Sequence, residues 1–181
     1  MRTLDYAVLG LVARRPSTGY QVAARLKRPV GYYWVESHGG IYPSLRRLRE
    51  AGWVAVEERP GPGPREKKVY TVTKAGRRAL GEWAAQPPVD QPARDELVLK
   101  VSSLWAASPS EAVVMLESEA RRWDAQRAEF ASTVTALEAE DEPVGSASWF
   151  GLQTAVRGRD YARGRRDWCR RVARALSGDE W

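Results

Sequence analysis

At 181 residues, 43% hydrophobic and 29% charged, the chain has the make-up of a soluble globular protein, long enough for one large domain or two small ones. Its purely apolar runs fall far short of the roughly 20 residues that cross a bilayer. Asp5 interrupts the apolar start and no small-residue cleavage site follows, so neither a membrane span nor a secretion signal is expected. The single cysteine, Cys169, rules out an internal disulfide and fits a reducing cytoplasm.

The formal charge of +6 is unevenly spread. Residues 1–86 hold 16 Lys or Arg against 7 Asp or Glu, a net of +9, and residues 87–181 hold 13 against 16, a net of −3. A basic front half reads as a polyanion-binding module, and the mildly acidic rear as something with another task. An Arg-rich composition alone would also raise the charge, so the elements must decide.

In chain order, Leu4, Ala7, Val8, Leu11 and Val12 fall at helical spacing, and Pro16 closes that element. Ser17 or Thr18 caps a second helix through Tyr20, Val22, Ala23 and Leu26, with Tyr20 read as core. A third helix starts near Ser37, or near Tyr42 if Pro43 lies in its first turn, carries Ile41, Leu45 and Leu48 on one face, and stops at Gly52, where glycine supplies a left-handed backbone. Two runs rich in valine and aromatics, WVAVEE (53–58) and KVYTVT (68–73), predict strands, and PGPGPREK between them predicts a hairpin tip. Thr73 caps a fourth helix through Ala75, Leu80 and Trp83, with Trp53 and Trp83 placed in the core. Three helices, two strands and a helix in this order predict a winged helix-turn-helix over residues 1–86. QPPVDQP then breaks the pattern, making 87–92 a linker to a helical region over 93–181.

That second region reads as a short helix over 93–106, a long one opened by Ser108-Pro109, a turn at 141–146 and a last helix. In the long helix Val113, Leu116, Ala120, Trp123, Phe130, Val134 and Leu137 recur at steps of three and four, with Arg127 in the one polar slot. In the last helix Phe150, Thr154, Tyr161, Trp168, Val172 and Ala175 are in rough register. Residues 87–144 carry a net −7 and 145–181 a net +4, so the two long helices are suited to pack side by side, within one chain or across a dimer; each run is equally well explained as a solvated face. The fold class is therefore mainly α with a small β-hairpin: an N-terminal winged helix-turn-helix and a C-terminal antiparallel helical dimerisation arm.

The stretches LDYAVLGLVARRPSTGYQVAARL, WVESHGGIYPSLRRLREAGWV and KVYTVTKAGRRALGEW resemble the PadR family of bacterial transcriptional repressors. Gly19-Tyr20, Gly40-Ile41-Tyr42-Pro43, Leu45, Leu48, Gly52, Tyr70, Thr73, Gly76 and Trp83 carry the likeness, and RDELVLKVSSLW followed by two long helices resembles the longer members. The resemblance implies a homodimer that exchanges its C-terminal helices, faces a palindromic site in double-stranded DNA with two winged helices, and releases it on binding a small molecule. His38-Gly39 departs from the family pattern, in which a small residue and glycine are common there.

Helix-turn-helix proteins lay the third helix in the major groove, with its N-terminal residues on base edges. This nominates Ser37, His38, Gly39, Gly40, Tyr42 and Arg46, with Arg47 and Arg49 as further polar-face candidates. Gly39 and Gly40 permit close backbone approach to phosphate. Tyr42 either donates to a phosphate or packs on the second helix; His38 either meets the DNA backbone or is simply solvated. Ser17, Thr18 and Gln21 are candidate phosphate contacts where the second helix crosses the backbone, and Arg65, Lys67 and Lys68 are the wing candidates. Trp123, Trp149 and Phe150 are nominated to line an apolar pocket for a small aromatic effector, against the plainer reading as interface core.

No glycine-rich phosphate loop, nucleophile elbow or metal-spaced His/Cys set is present, so no catalytic residue, metal or cofactor is nominated. The competing reading is a winged-helix protein-interaction module, which the basic front half disfavours.

Overall fold

The first apolar stripe folds as α1 (Thr3–Arg14), burying Leu4, Val8, Leu9, Leu11 and Val12. The computed structural model describes residues 1–26, 40–60, 67–89 and 95–178, in two compact units, Met1–Val89 and Asp90–Trp181. Among the described residues no helix is long and apolar enough to cross a membrane, and no group of three or more His, Cys, Asp or Glu is placed to hold a metal ion.

In the first unit, α2 (Gly19–Leu26) and α3 (Ile41–Glu50) pack on α1, with Val22, Ile41, Leu45 and Leu48 completing the core. The described part of α3 is capped by Gly40, which offers no side-chain bond; the start proposed near Ser37 lies outside the described residues. The helix ends as expected. Gly52 takes φ +70, its N–H donates to the Arg49 carbonyl and that of Trp53 to the Leu48 carbonyl, so orphan carbonyls of the last turn are satisfied.

The two predicted strands are β2 (Val54–Arg59) and β3 (Lys67–Val72), antiparallel with Val54 opposite Val72 and Arg59 opposite Lys67. A further strand escapes the sequence pattern. β1 (Ser17–Thr18) pairs with β3, Ser17 opposite Tyr70, giving the sheet order β1-β3-β2; two residues are too few to show period-2 alternation. α4 (Lys74–Ala84) is capped by Thr73, whose Oγ1 accepts from the Gly76 N–H and donates to the Gly52 carbonyl. Gly76 is required there, because a Cβ would stand 2.2 Å from the Trp53 carbonyl oxygen. Trp53 and Trp83 flank the core more than enter it. Trp83, 37% exposed, stacks on Tyr6 at 4.6 Å, and Trp53 meets the same ring at 5.8 Å.

One charged side chain lies inside this core. Asp5 is fully buried and accepts from Ser44 Oγ (2.6 Å), Arg47 Nη2 (2.6 Å), Arg47 Nε (3.2 Å) and the Arg2 N–H (2.8 Å). Burial alone would push its carboxyl up. The bonds from Arg47, Ser44 and Arg2, with the Arg47 charge, outweigh that and hold it below the ordinary value.

In the second unit, α5 (Glu96–Ser103) and a 3-10 turn (Leu104–Ala106) lead into α6 (Pro109–Glu138), which a Ser108/Glu111 capping box opens. A short turn returns the chain as α7 (Ala147–Ser177), antiparallel to α6. The α6 seam is as read: Leu116, Ala120, Trp123, Phe130 and Val134 are buried, with Arg127 in the polar gap.

The α7 face is not. Its buried residues are Ala155, Gly158, Ala162, Cys169 and Ala173, whereas Phe150 and Tyr161 are 58% and 40% exposed. Large α6 side chains need small ones opposite, and the Phe130 ring occupies the notch at Gly158, where a Cβ would lie 2.3 Å from it. The expected side-by-side charge pairing occurs within the chain: Arg166 Nη1 donates to Asp124 at 2.9 Å, and with Arg127 holds that carboxyl at about 2. Arg165 of α7 grips Asp95, which also caps α5, through both terminal nitrogens.

Arg47→Leu is expected to lower the unfolding free energy by about 3–5 kcal/mol near neutral pH, because a buried carboxylate loses its cation. The stability that Asp5 adds is present above the unfolded carboxyl value of about 3.9 and is lost as pH falls through its lower folded value. The parent therefore keeps that stability between pH 7 and pH 4, whereas the stranded carboxyl of the variant, raised by burial, takes up a proton there, so the deficit in urea unfolding should shrink; an equal deficit at both would mean that Asp5 does not depend on Arg47. For Gly158→Ala, overpacking against Phe130 costs about 1–3 kcal/mol and exceeds the helix gain of about 1 kcal/mol, so the denaturation midpoint should fall.

Candidate nucleic-acid interface

The α3 sequence divides its residues by period. Ile41, Ser44, Leu45 and Leu48 are buried, and Tyr42, Arg46 and Arg49 are exposed on the other side. Among the described residues Arg46 is held by an ion pair to Glu50 at 3.9 Å with both side chains largely in solvent, a contact worth little. Arg49 has no carboxylate partner among the described residues. Gly40 itself adds no side-chain bond at the first described turn of α3.

Tyr42 packs on the second helix, the plainer of its two readings, and still keeps an open face. Its ring edge rests on Gly19, where a Cβ would come within 2.6 Å of Cε1, yet the residue is 61% exposed. Tyr20 corrects the sequence reading: it is 77% exposed, not core. The period of so short a helix does not fix its buried flank, which is made by Gly19, Val22 and Leu26 with Ala23 beside them. A second exposed tyrosine thus joins Tyr42 beside α3.

At the start of α2, Thr18 and Gln21 form a reciprocal cap. The Gln21 N–H donates to Thr18 Oγ1 (3.2 Å) and the Thr18 N–H to Gln21 Oε1 (2.9 Å), which leaves the Gln21 amide N–H groups facing solvent. Ser17 is a correction. It is fully buried, with Oγ donating to the Arg15 carbonyl at 2.8 Å, and so offers no hydroxyl to a phosphate.

On the wing, Lys67 and Lys68 are exposed. Lys68 lies 3.6 Å from Glu58, and Arg59, across from Lys67, donates to Glu57 at 2.8 Å. The Arg59 bond and charge hold the Glu57 carboxyl below its usual range. Among the described wing residues Lys67 alone has no carboxylate partner, so their basic charge is partly offset. Arg59 was not singled out from sequence, because its register with Lys67 depends on strand pairing. Ser37, His38, Gly39 and Arg65 lie outside the described residues.

This arrangement has known counterparts. Residues 8–82 match the transcriptional regulator PadR-like family, and residues 93–177 match the virulence activator alpha C-terminal family. The negative transcriptional regulator PadR of Bacillus subtilis is 29% identical over 149 residues, 82% of each chain. The chain belongs to the PadR-like family of transcriptional regulators.

A crystal structure of Bacillus subtilis PadR in complex with operator DNA superposes with a TM-score of 0.84 at 23% identity, over 97% of this chain and 99% of that one. The virulence activator AphA of Vibrio cholerae gives 0.68 at 25% identity, over 98% and 99%. The fold, a winged helix with long C-terminal helices, is common to all three.

The aromatic trio nominated in this PadR-like chain does not converge. Trp123 is buried between the α6 and α7 backbones, edge-on to Tyr161 (5.6 Å), with the guanidiniums of Arg122 and Arg165 at 4.9 and 5.0 Å from its ring centre. Trp149 and Phe150 form their own edge-to-face pair at the start of α7. Phe150 lies eleven residues before Tyr161 on the same helix, roughly 16 Å along the axis. Two surface clefts on the arm, about 420 and 510 Å³, contain none of the three.

Arg46→Ala should weaken binding to a selected duplex by about 1–3 kcal/mol and leave random-sequence DNA nearly unaffected. An equal loss on both would assign it to phosphate. Lys67→Ala should reduce the log–log salt slope by about one while weakening all sequences alike, as titration between low and moderate salt would read.

Proposed function

We propose that this regulator binds a palindromic operator as a homodimer and represses transcription until a small aromatic effector releases it. The observation that carries the DNA reading is the outer face of α3: Tyr42, Arg46 and Arg49 stand exposed opposite a fully buried apolar stripe, with Tyr20 and Gln21 alongside and Lys67 on the wing. Arginine and tyrosine on an exposed helix of a winged unit supply base-edge and phosphate donors together. Of the nominated residues, Thr18, Gln21, Gly40, Tyr42, Arg46, Lys67 and Lys68 remain in this role, with Ser37, His38, Gly39 and Arg65.

Residues 1–86 form the DNA-binding domain and 93–181 the dimerisation and effector domain in this reading. The arm leaves Val98, Leu99, Trp105, Val114 and Phe150 about half exposed or more, apolar area that a second copy would remove from water. Support for repression and release comes from the relative that is a negative regulator, and from a structural neighbour, Bacillus subtilis PadR, solved in complex with p-coumaric acid. The chain works in the cytoplasm, without a cofactor and without catalysis. The wing's paired glutamates favour one alternative, a winged-helix module that binds protein.

Selection from random duplex DNA followed by salt titration tests the reading. An enriched palindrome with steep salt dependence is expected; tight binding without enrichment would mean an architectural binder, and no binding at low salt would leave the protein-interaction module. Sedimentation at micromolar concentration should give a dimer, and a monomer would remove the arm from that role.

A further inference from the structure

α3 carries three arginines close together, but they do not share a fate. Arg46 and Arg49 face solvent, whereas Arg47, on the flank of the helix, turns back onto α1 and is held there by Asp5 and by Ser44 Oγ at 3.0 Å. Among the described residues Asp5 is the only buried charged side chain. An ion pair of this kind is a poor source of stability, since desolvating two charges costs about what their attraction returns, and apolar replacements of equal volume are often as stable. What it supplies is direction. The Ile41, Leu45 and Leu48 contacts are apolar and tolerate rotation of α3 about its axis, whereas Ser44 and Arg47, one turn apart on the same side, bond to one carboxylate and admit a single roll.

The pair has a second effect. An arginine free on the flank of a groove-entering helix would swing to the nearest phosphate, a contact that strengthens binding to every sequence and carries no information. We propose that Asp5 is a specificity-determining residue of the DNA-binding unit: it positions α3 on α1 and withholds the Arg47 guanidinium from the nucleic acid. This rests on the DNA-binding reading above. Asp5 itself touches no DNA and acts through Arg47 and Ser44.

The test uses the full chain and two duplexes of equal length, the selected site and a random sequence, titrated with salt. Asp5→Asn should lower the ratio of selected to random affinity about tenfold near 0.1 M salt and steepen the log–log slope by about one, the signature of one added phosphate contact. The double variant Asp5→Asn/Arg47→Gln should return to the parental slope. A merely structural role would weaken both duplexes by the same factor at unchanged slope, and that result would overturn the proposal. If Asp5→Asn fails to fold by circular dichroism, the double variant, with neutral amides in place of the ion pair, decides alone: the parental slope supports the proposal, and a slope shallower by about one shows that Arg47 already meets phosphate and overturns it. A parent that binds neither duplex sinks the DNA reading and this inference together, whereas equal loss in a binding parent sinks only the role of Asp5.

Discussion

The packing of α1 across α3 is the constraint from which the rest of the first unit follows. Leu4, Val8 and Val12 meet Ile41, Leu45 and Leu48 in one core, and the buried Asp5 carboxylate adds directed bonds to Ser44 and Arg47. Once α3 is seated, its last turn closes on Gly52 and Trp53, and the Trp53 carbonyl then accepts from the Thr73 N–H at 3.0 Å and leaves no room for a side chain at Gly76. β2, the start of α4 and the Tyr6–Trp83 stack are thus placed by the same helix that sets out Tyr42, Arg46 and Arg49. A disturbance at the α1–α3 contact reaches the candidate interface through bonded geometry, with no need for a longer route.

Electrostatics separates the two units less sharply than composition suggests. The first unit is strongly basic by count, but Arg47, Arg59 and Lys68 are each committed to a carboxylate. Much of the arginine-rich α7 is likewise committed: Arg165 to Asp95, Arg166 to Asp124 and Asp167, and Arg159 and Arg163 to Asp160. Arg165 additionally sits over Trp123, so part of this basic helix serves as packing material. Counting charges found the basic half. Which charges remain available to a partner depends on pairings between residues far apart in the chain.

What could be read from the sequence was whatever repeats locally. The α1 and α6 stripes, the Gly52 stop, the Thr73 cap, the wing strands and even the polar slot at Arg127 were legible, because each follows from spacing within a few turns. The misses share the opposite property. Tyr20 is exposed on a helix too short for its period to fix the buried flank; β1 exists only through its partner β3; the Asp5–Arg47 bond spans 42 residues of sequence. α7 misled by its composition. Its aromatics stand out in the sequence, but the face that seats on α6 is the inconspicuous row Ala155, Gly158, Ala162, Cys169 and Ala173, chosen by the bulk of the residues opposite. The candidate site was half legible in the same sense: exposed α3 residues follow from period, while the burial of Ser17 and the pairing of Arg59 and Lys68 with glutamates do not.

The seat of Phe130 in the Gly158 notch also governs how such an arm can change length. Ring and notch sit at one level of the hairpin, and the Asp124–Arg166 bond fixes a second level nearer α5. Residues added to α6 between those levels would slide one out of register unless α7 gained the same number at the matching place. Beyond the notch, towards the turn at 139–146, both helices can grow or shrink together without touching either point. Insertions and deletions in this lineage should therefore gather at the turn end of the hairpin, where an arm can be fitted to new tasks while its root stays as it is.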